Sequence, residues 1–263
     1  MTNESLIYNM NRDLSAMLNV WEQTFHWQPS DRQIQQFARL YDAILEGNQR
    51  QNLTRIISPQ EFWEKHLWDS LLGVAPFLFE ESDLISLQKI DSLPQNLKII
   101  DIGTGAGFPG LPIAIANSDW SITMVDSTRK KIAFVTEAIA KLGLHRAEAV
   151  ACRAETLARQ PRYRERYHLA LIRAVGQASV CAEYILPFVE IGGFAVLYRG
   201  IWEESDTAIL KSAAAKLGSE IAEIKKTTTP LSNSIRHCIY LYKFSATPDL
   251  FPRKVGIPSQ QPL

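Results

Sequence analysis

The chain has 263 residues, 46% of them hydrophobic, with 28 Lys and Arg balanced by 28 Asp and Glu. That length suits one large α/β domain with an extension, and the composition excludes a disordered chain or a fibrous repeat. Zero net charge excludes a uniformly polycationic nucleic-acid binder. The charge is nevertheless uneven: residues 1–96 carry 13 Asp and Glu against 7 Lys and Arg, whereas residues 127–175 carry 11 Lys and Arg against 4 Asp and Glu.

The first 19 residues are interrupted by charge and do not read as a signal peptide. Leu14, Leu18, Trp21 and Phe25 recur at helical spacing. So do Ile34, Phe37, Ala38, Leu40, Tyr41, Ile44 and Leu45, after a Pro29-Ser30-Asp31 start. Gly47-Asn48 reads as the end of that helix. Ser58-Pro59-Gln60-Glu61 supplies a cap, a first-turn proline and an acidic first turn for the next, which carries His66 and Asp69. The longest apolar run, Leu71 to Phe79, is too short to span a bilayer. Residues 80–96 are polar and read as a loop. Strands are then expected at 97–102, 120–125, 147–151, 168–174 and 193–198, with helices at 128–142, 178–188 and 203–217. Two late strands, 221–228 and 236–244, follow each other without a helix. This alternation predicts a mostly parallel sheet covered on both faces, with an antiparallel hairpin at one edge. The chain divides into a helical extension (1–96), a sheet-containing core (97–245) and a tail (246–263) whose four prolines should deny it regular structure unless it docks. Cys152, Cys181 and Cys238 are widely spaced, with no C-x-x-C pair, which suits reduced thiols and a cytoplasmic location.

The chemistry is concentrated at Ile99-Ile-Asp101-Ile-Gly103-Thr-Gly105-Ala-Gly107-Phe108-Pro-Gly110. An apolar run ends in four glycines and apolar residues resume at Leu111, giving a strand, a tight turn and a helix. Such a turn lets a ligand approach the backbone, and the helix start offers unpaired N–H groups. Gly105 to Gly110 matches G-x-G-x-x-G, which alone is compatible with a nicotinamide, a flavin or another nucleotide. Asp126 ends the next strand, where a carboxylate can accept hydrogen bonds from ribose hydroxyls. Three features favour S-adenosylmethionine over NAD: the turn lies behind a helical extension, Asp101 sits in the strand–turn junction, and the sheet ends in an antiparallel hairpin.

The chain resembles the bacterial small-subunit ribosomal RNA methyltransferase G family, also called glucose-inhibited division protein B. The resemblance rests on an ordered set of segments. These are Asn52-Leu53-Thr54, His66-Leu-Trp-Asp69-Ser70, the glycine turn, Val125-Asp126-Ser127, Arg153-Ala154-Glu155, Arg173-Ala174 and Phe251-Pro252-Arg253-Lys254-Val-Gly256-Ile-Pro258. It implies a Rossmann-like class I S-adenosylmethionine-dependent methyltransferase with a seven-stranded sheet, acting on N7 of a guanosine in 16S rRNA or the small ribosomal subunit. Carried over by position, Gly103, Phe108, Asp126, Ser127 and Thr128 would bind S-adenosyl-L-methionine. Ala154 and Glu155 would flank the adenine. Arg173 would lie beside the cofactor and position the substrate, the one residue given a catalytic role. Thr128 departs from the residue often found there, and the segment 80–95 is longer than usual. The protein is expected to act as a monomer.

Guanine N7 has a free lone pair and no proton to lose, so the reaction needs alignment more than a general base. Accordingly no Asn/Asp-Pro-Pro-Tyr/Phe motif follows the fourth strand, where the sequence reads Arg173-Ala-Val-Gly176, and no Pro-Cys or Thr-Cys pair offers a nucleophile. His66 and Asp69 form either a polar surface pair or part of a substrate cleft; nothing completes a zinc site around them. The arginines at 153, 159, 162, 164 and 166, with Arg253 and Lys254, are either solvated or phosphate-binding. An NAD-dependent oxidoreductase and a non-catalytic RNA-binding module on the same fold are the rival readings.

Overall fold

The computed structural model describes residues 17–79, 87, 93–173 and 175–263. Helix α1 covers 17–25, so Leu14 lies outside the described residues, as does most of the expected 80–96 loop. Helix α2 (Asp31–Arg50) starts as the sequence indicates. Ser30 caps it, and the side chains and backbones of Ser30 and Gln33 bond reciprocally. Phe37, Leu40, Tyr41 and Ile44 form its buried stripe. Gly47 does not end the helix, contrary to the sequence reading. It is a point of close approach: a Cβ there would lie 2.4 Å from Leu53 Cδ1 and 2.8 Å from Phe134 Cε2. The helix therefore continues a further turn.

The next helix begins as α3 (Pro59–Phe62), capped by Ser58, widens into a π-helical stretch (Trp63–Trp68) and closes as α4 (Asp69–Leu72). Aromatic packing fastens it to α1: the Trp21 and Trp63 rings stack at 5.5 Å, and Phe25 and Trp68 at 5.6 Å. A short helix, α5 (Ala75–Leu78), follows.

The core alternates as predicted. Strands β1 (Lys98–Ile102), β2 (Ser121–Asp126), β3 (Ala147–Ala151), β4 (Tyr167–Arg173) and β5 (Val189–Arg199) run parallel, and β7 (Ile235–Lys243) is antiparallel to both β5 and β6 (Ser219–Thr228). The order is β3-β2-β1-β4-β5-β7-β6. Between strands lie α6 (Gly110–Ala116), α7 (Arg129–Leu142), α8 (Ala154–Leu157), α9 (Ala178–Ile185) and α10 (Glu204–Lys216). Strand order reverses at β1 and β4, so their carboxyl ends flank the topological switch point where ligands bind in such sheets.

Successive strand residues serve opposite faces. Ile99, Leu169 and Leu171 join one apolar cluster with the N-terminal helices, α6 and α7, whereas Ile100, Ala170 and Ile172 join the other with α9 and α10. Two amides lock α2 onto the first layer: Gln33 Nε2 donates to Ala116 O (2.8 Å) and Gln36 Nε2 to Leu142 O (2.8 Å). Both acceptors lie in the last turns of helices, whose final carbonyls lack partners within the helix.

The tail docks. Phe251 is buried in the second cluster, and a final short helix, α11 (Ile257–Gln260), packs on α9. Arg164 donates to Phe251 O (2.8 Å) and Thr247 O (2.7 Å), and Arg159 to Pro252 O. Two of the five clustered arginines thus bind backbone carbonyls of the tail rather than solvent or phosphate. Arg162 lies over the Tyr163 ring at 4.5 Å, and Arg166 donates to Pro161 O.

Candidate active site

The glycine turn follows β1 directly. Its first residue, Gly103, has φ +73°, and its amide, like that of Thr104, donates to Val125 O on β2. A Cβ at Gly103 would lie 2.8 Å from Val175 Cγ2, so only glycine leaves that wall open. Asp101 braces the turn from beneath: its Oδ2 accepts from Thr104 Oγ1 (2.6 Å) and from the Gly110 amide (3.0 Å) at the start of α6. Its Oδ1 is buried without a partner. Burial pushes the Asp101 carboxyl up to about 6, against the pull of those two hydrogen bonds.

Asp126 ends β2 and ties the turn to the next helix. Oδ2 accepts from the Gly105 amide (3.1 Å) and Oδ1 from the Thr128 amide (2.8 Å), with Lys131 Nζ 4.0 Å from Oδ2. A carboxylate offers about four acceptor directions, so two remain for hydroxyl donors. Here the structure forms a cleft of about 310 Å³, whose walls include Gly103, Asp126, Ser127, Thr128, Ala154 and Glu155. Six of the eight residues expected at the cofactor therefore share one wall system, and the size is that of an ordinary small-molecule site. The open glycine wall, the strand-end carboxylate with spare lone pairs and the volume of the cleft fit an adenosyl group.

Three residues sit differently from the expectation: Phe108 and Arg173 lie outside this cleft, and Glu155 turns to the tail. Phe108 does not line this cleft; its buried ring stacks on His66 at 4.2 Å and 10°, because the turn carries it toward the π-helical segment. Glu155 lines the cleft but is 3% exposed, and its Oε1 accepts from the Gly256 amide of the tail (3.0 Å).

Arg173 belongs to a second cleft, of about 340 Å³, between the π-helical segment and the ends of β4, β5 and β7. Register pairs Ile102 with Ile172, so Gly103 and Arg173 leave the sheet side by side and the two clefts adjoin. Arg173 Nη1 donates to Asp69 Oδ2 (3.2 Å) and Lys65 O (3.2 Å), and Arg236 Nε donates to Asp69 Oδ1 (3.0 Å). Asp69 is thus a buried carboxylate shared by two guanidinium groups. His66 Nδ1 lies 3.5 Å from Arg173 Nη2, and its Nε2 lies 2.9 Å from Thr54 Oγ1. Burial, reinforced by Arg173 and Lys65, pushes the imidazole down to about 3. It is neutral at physiological pH, placed to accept at Nδ1 and donate at Nε2. His66 and Asp69 are therefore cleft residues rather than a surface pair.

Sequence reasoning missed Arg236, Arg199 and Glu64. Arg199 lines the second cleft and donates to Gly176 O (2.7 Å). Glu64 is buried, and its Oε1 accepts from the Leu231 (2.6 Å) and Ser232 (2.8 Å) amides, holding the β6–β7 loop against the π segment. The one available signal was a charge flanking each apolar strand, at its start for Arg236 and its end for Arg199.

The family model for rRNA small subunit methyltransferase G (GidB) matches residues 33–238. Proteins named ribosomal RNA small subunit methyltransferase G from Trichormus variabilis (53% identity; 97% of this chain, 100% of that one) and Gloeobacter violaceus (52%; 92% and 90%) are similar throughout. A third, from Synechococcus elongatus, is 50% identical over 92% of this chain and 95% of its own. Among solved structures, precorrin-6y C5,15-methyltransferase from Geobacter metallireducens aligns at 16% identity and TM-score 0.44, over 61% of this chain and 91% of that one. The chain belongs to the rRNA small subunit methyltransferase G family.

Proposed function

We propose that this chain transfers the methyl group of S-adenosyl-L-methionine to N7 of a guanosine in 16S rRNA, with the donor in the Asp126 cleft and the guanosine in the Arg173 cleft. Methyl transfer from S-adenosylmethionine to small-subunit rRNA follows from family membership; N7 and the residue roles are the finer reading. The observation that carries it is the adjacency of the two clefts at Gly103 and Arg173. Bound S-adenosylmethionine supplies an electrophilic methyl carbon. Asp126 would take the ribose hydroxyls, Ser127 and Thr128 the backbone side of the adenosyl group, and Ala154 one face of the adenine. Arg173 would orient the guanine. Neither His66 nor Asp69 is free to act as a general base: His66 accepts from and donates to its neighbours, and Asp69 is committed to two arginines. An acceptor nitrogen without a proton needs none. The protein is read as a cytoplasmic monomer whose partner is the rRNA; among the described residues no helix is long and apolar enough to cross a membrane.

The test is incubation with methyl-labelled cofactor and either 30S subunits or deproteinised 16S rRNA, followed by nucleoside analysis. Label in 7-methylguanosine is expected; label at another atom refutes the N7 reading. Calorimetry separates the rivals: NAD binding without S-adenosylhomocysteine binding would mark an oxidoreductase, and RNA binding without turnover a recognition module.

A further inference from the structure

The tail after β7 is tied to the cofactor side of the molecule by buried charge. Glu183 on α9 is fully buried, and its carboxylate accepts from Arg253 at Nε (3.0 and 3.1 Å), Nη2 (2.6 Å) and the backbone amide (2.8 Å). Three residues on, the Gly256 amide donates to Glu155 (3.0 Å), and the helix that follows, α11, packs on α9. Glu155 and Tyr184 both line the Asp126 cleft, on α8 and α9. One wall residue of the cleft, Glu155, is therefore held by a backbone amide of the tail, and α9, which carries Tyr184, is packed by α11. A buried carboxylate with one bidentate guanidinium partner is costly to leave unpaired. The Arg253–Glu183 pair thus fixes where the tail sits, and the tail holds Glu155.

We infer that Arg253 and Glu183 are positioning residues for cofactor binding, acting through Gly256 on Glu155. The inference rests on the assignment of the Asp126 cleft to the cofactor. Coupling of this kind is reciprocal: if tail docking strengthens cofactor binding, the cofactor must strengthen tail docking.

The decisive measurement is amide hydrogen exchange on the full native chain, with and without saturating S-adenosylhomocysteine. The Arg253 and Gly256 amides, donors to Glu183 and Glu155, should exchange about tenfold more slowly with the ligand bound. The Gly105 and Thr128 amides, donors to Asp126, are the internal reference. Protection of Gly105 and Thr128 without any change at Arg253 and Gly256 overturns the inference and leaves the cleft assignment standing. No change at Gly105 and Thr128 while calorimetry reports binding overturns the assignment itself. In parallel, Arg253→Met should weaken S-adenosylhomocysteine binding about tenfold while KM for rRNA stays within about twofold, with partial rescue in Arg253→Lys. Unchanged ligand affinity in a folded Arg253→Met protein also refutes the idea. Should that variant fail to fold, the exchange measurement on the native chain still decides.

Discussion

Asp69→Asn tests the second cleft most directly. Asp69 is 7% exposed and neutralises Arg173 at 3.2 Å and Arg236 at 3.0 Å. Removing one partner of a buried pair costs roughly 3–5 kcal/mol, because the charge left behind stays desolvated. Asparagine keeps one acceptor oxygen, and the two arginine side chains retain 14% and 21% exposure and bonds to Lys65 O and Ile235 O. The expected loss is therefore smaller, about 2–3 kcal/mol. For a chain of this size that lowers Tm by roughly 5–10 °C, at 2–4 °C per kcal/mol. Urea melts give the free energy and labelled-methyl transfer gives the rate. Arg173 loses its fixed orientation, so kcat should fall at least about tenfold, since misplacing a positioning group costs one to two orders of magnitude. Asp69→Asn combined with Arg236→Met should recover part of the stability, because it removes one of the two uncompensated charges. A loss below about 0.5 kcal/mol, the scatter of ordinary surface substitutions, would refute the shared-carboxylate account.

Asp101→Asn should raise stability by about 1–2 kcal/mol at pH 7, because burial that lifts a carboxyl to about 6 penalises its ionised form there, and should weaken S-adenosylhomocysteine binding; a melt and a titration check both. Gly103→Ala places a Cβ against Val175 at φ +73° and should cost about 1–3 kcal/mol along with most cofactor affinity, read by the same pair of assays. Asp126→Ala should weaken cofactor binding by about one to two orders of magnitude, since it removes the proposed ribose acceptor and frees the Gly105 and Thr128 amides, while leaving rRNA affinity intact in a filter-binding assay. For pH, His66 is held near 3 against an ordinary 6.5, so the unfolded chain binds a proton first as pH falls. The stability linked to His66 is complete above about pH 6.5 and is lost as pH drops toward 3, by up to about 1.4 kcal/mol per unit. His66→Gln should flatten that slope in denaturant melts across this range, and an unchanged slope would mean the ring is not held neutral.

The sheet was legible because its signals are local. Apolar runs of strand length, punctuating glycines and the return of helical periodicity place β1 through α7 within a residue or two of their observed positions, and Asp101 and Asp126 fall at strand ends by counting. Gly103, Ser127, Thr128, Ala154 and Glu155 are brought to one cleft by the same logic, since parallel strands in register put all their carboxyl ends on one edge. What the sequence hid is non-local or irregular. Gly47 looks like a helix stop until Leu53 and Phe134 press on it from elsewhere in the chain. The π-helical stretch breaks the 3.6-residue period by which one would place His66 and Asp69 on a face. Two of the clustered arginines, Arg159 and Arg164, find carbonyl partners 83 to 93 residues away in a tail whose prolines suggest disorder.

The same non-local pairing bears on the reaction. When a guanine nitrogen takes a methyl group from a sulfonium, positive charge moves from sulfur onto the purine. Two unpaired guanidinium groups beside the acceptor would oppose that movement in a poorly solvated cleft, where charge–charge terms are strong. Placing Asp69 between Arg173 and Arg236 removes one positive charge from a cleft that Lys65 and Arg199 also line, while leaving guanidinium N–H donors to orient the base. His66 adds no further cation, because burial keeps it neutral. The cleft thus combines directional donors with a reduced net charge, a combination a single free arginine could not supply. The kinetic loss in Asp69→Asn should accordingly exceed what slackened positioning alone produces. Asp69→Asn combined with Arg236→Met restores the charge balance without restoring the Arg173–Asp69 ion pair. It should recover part of kcat and not only of Tm.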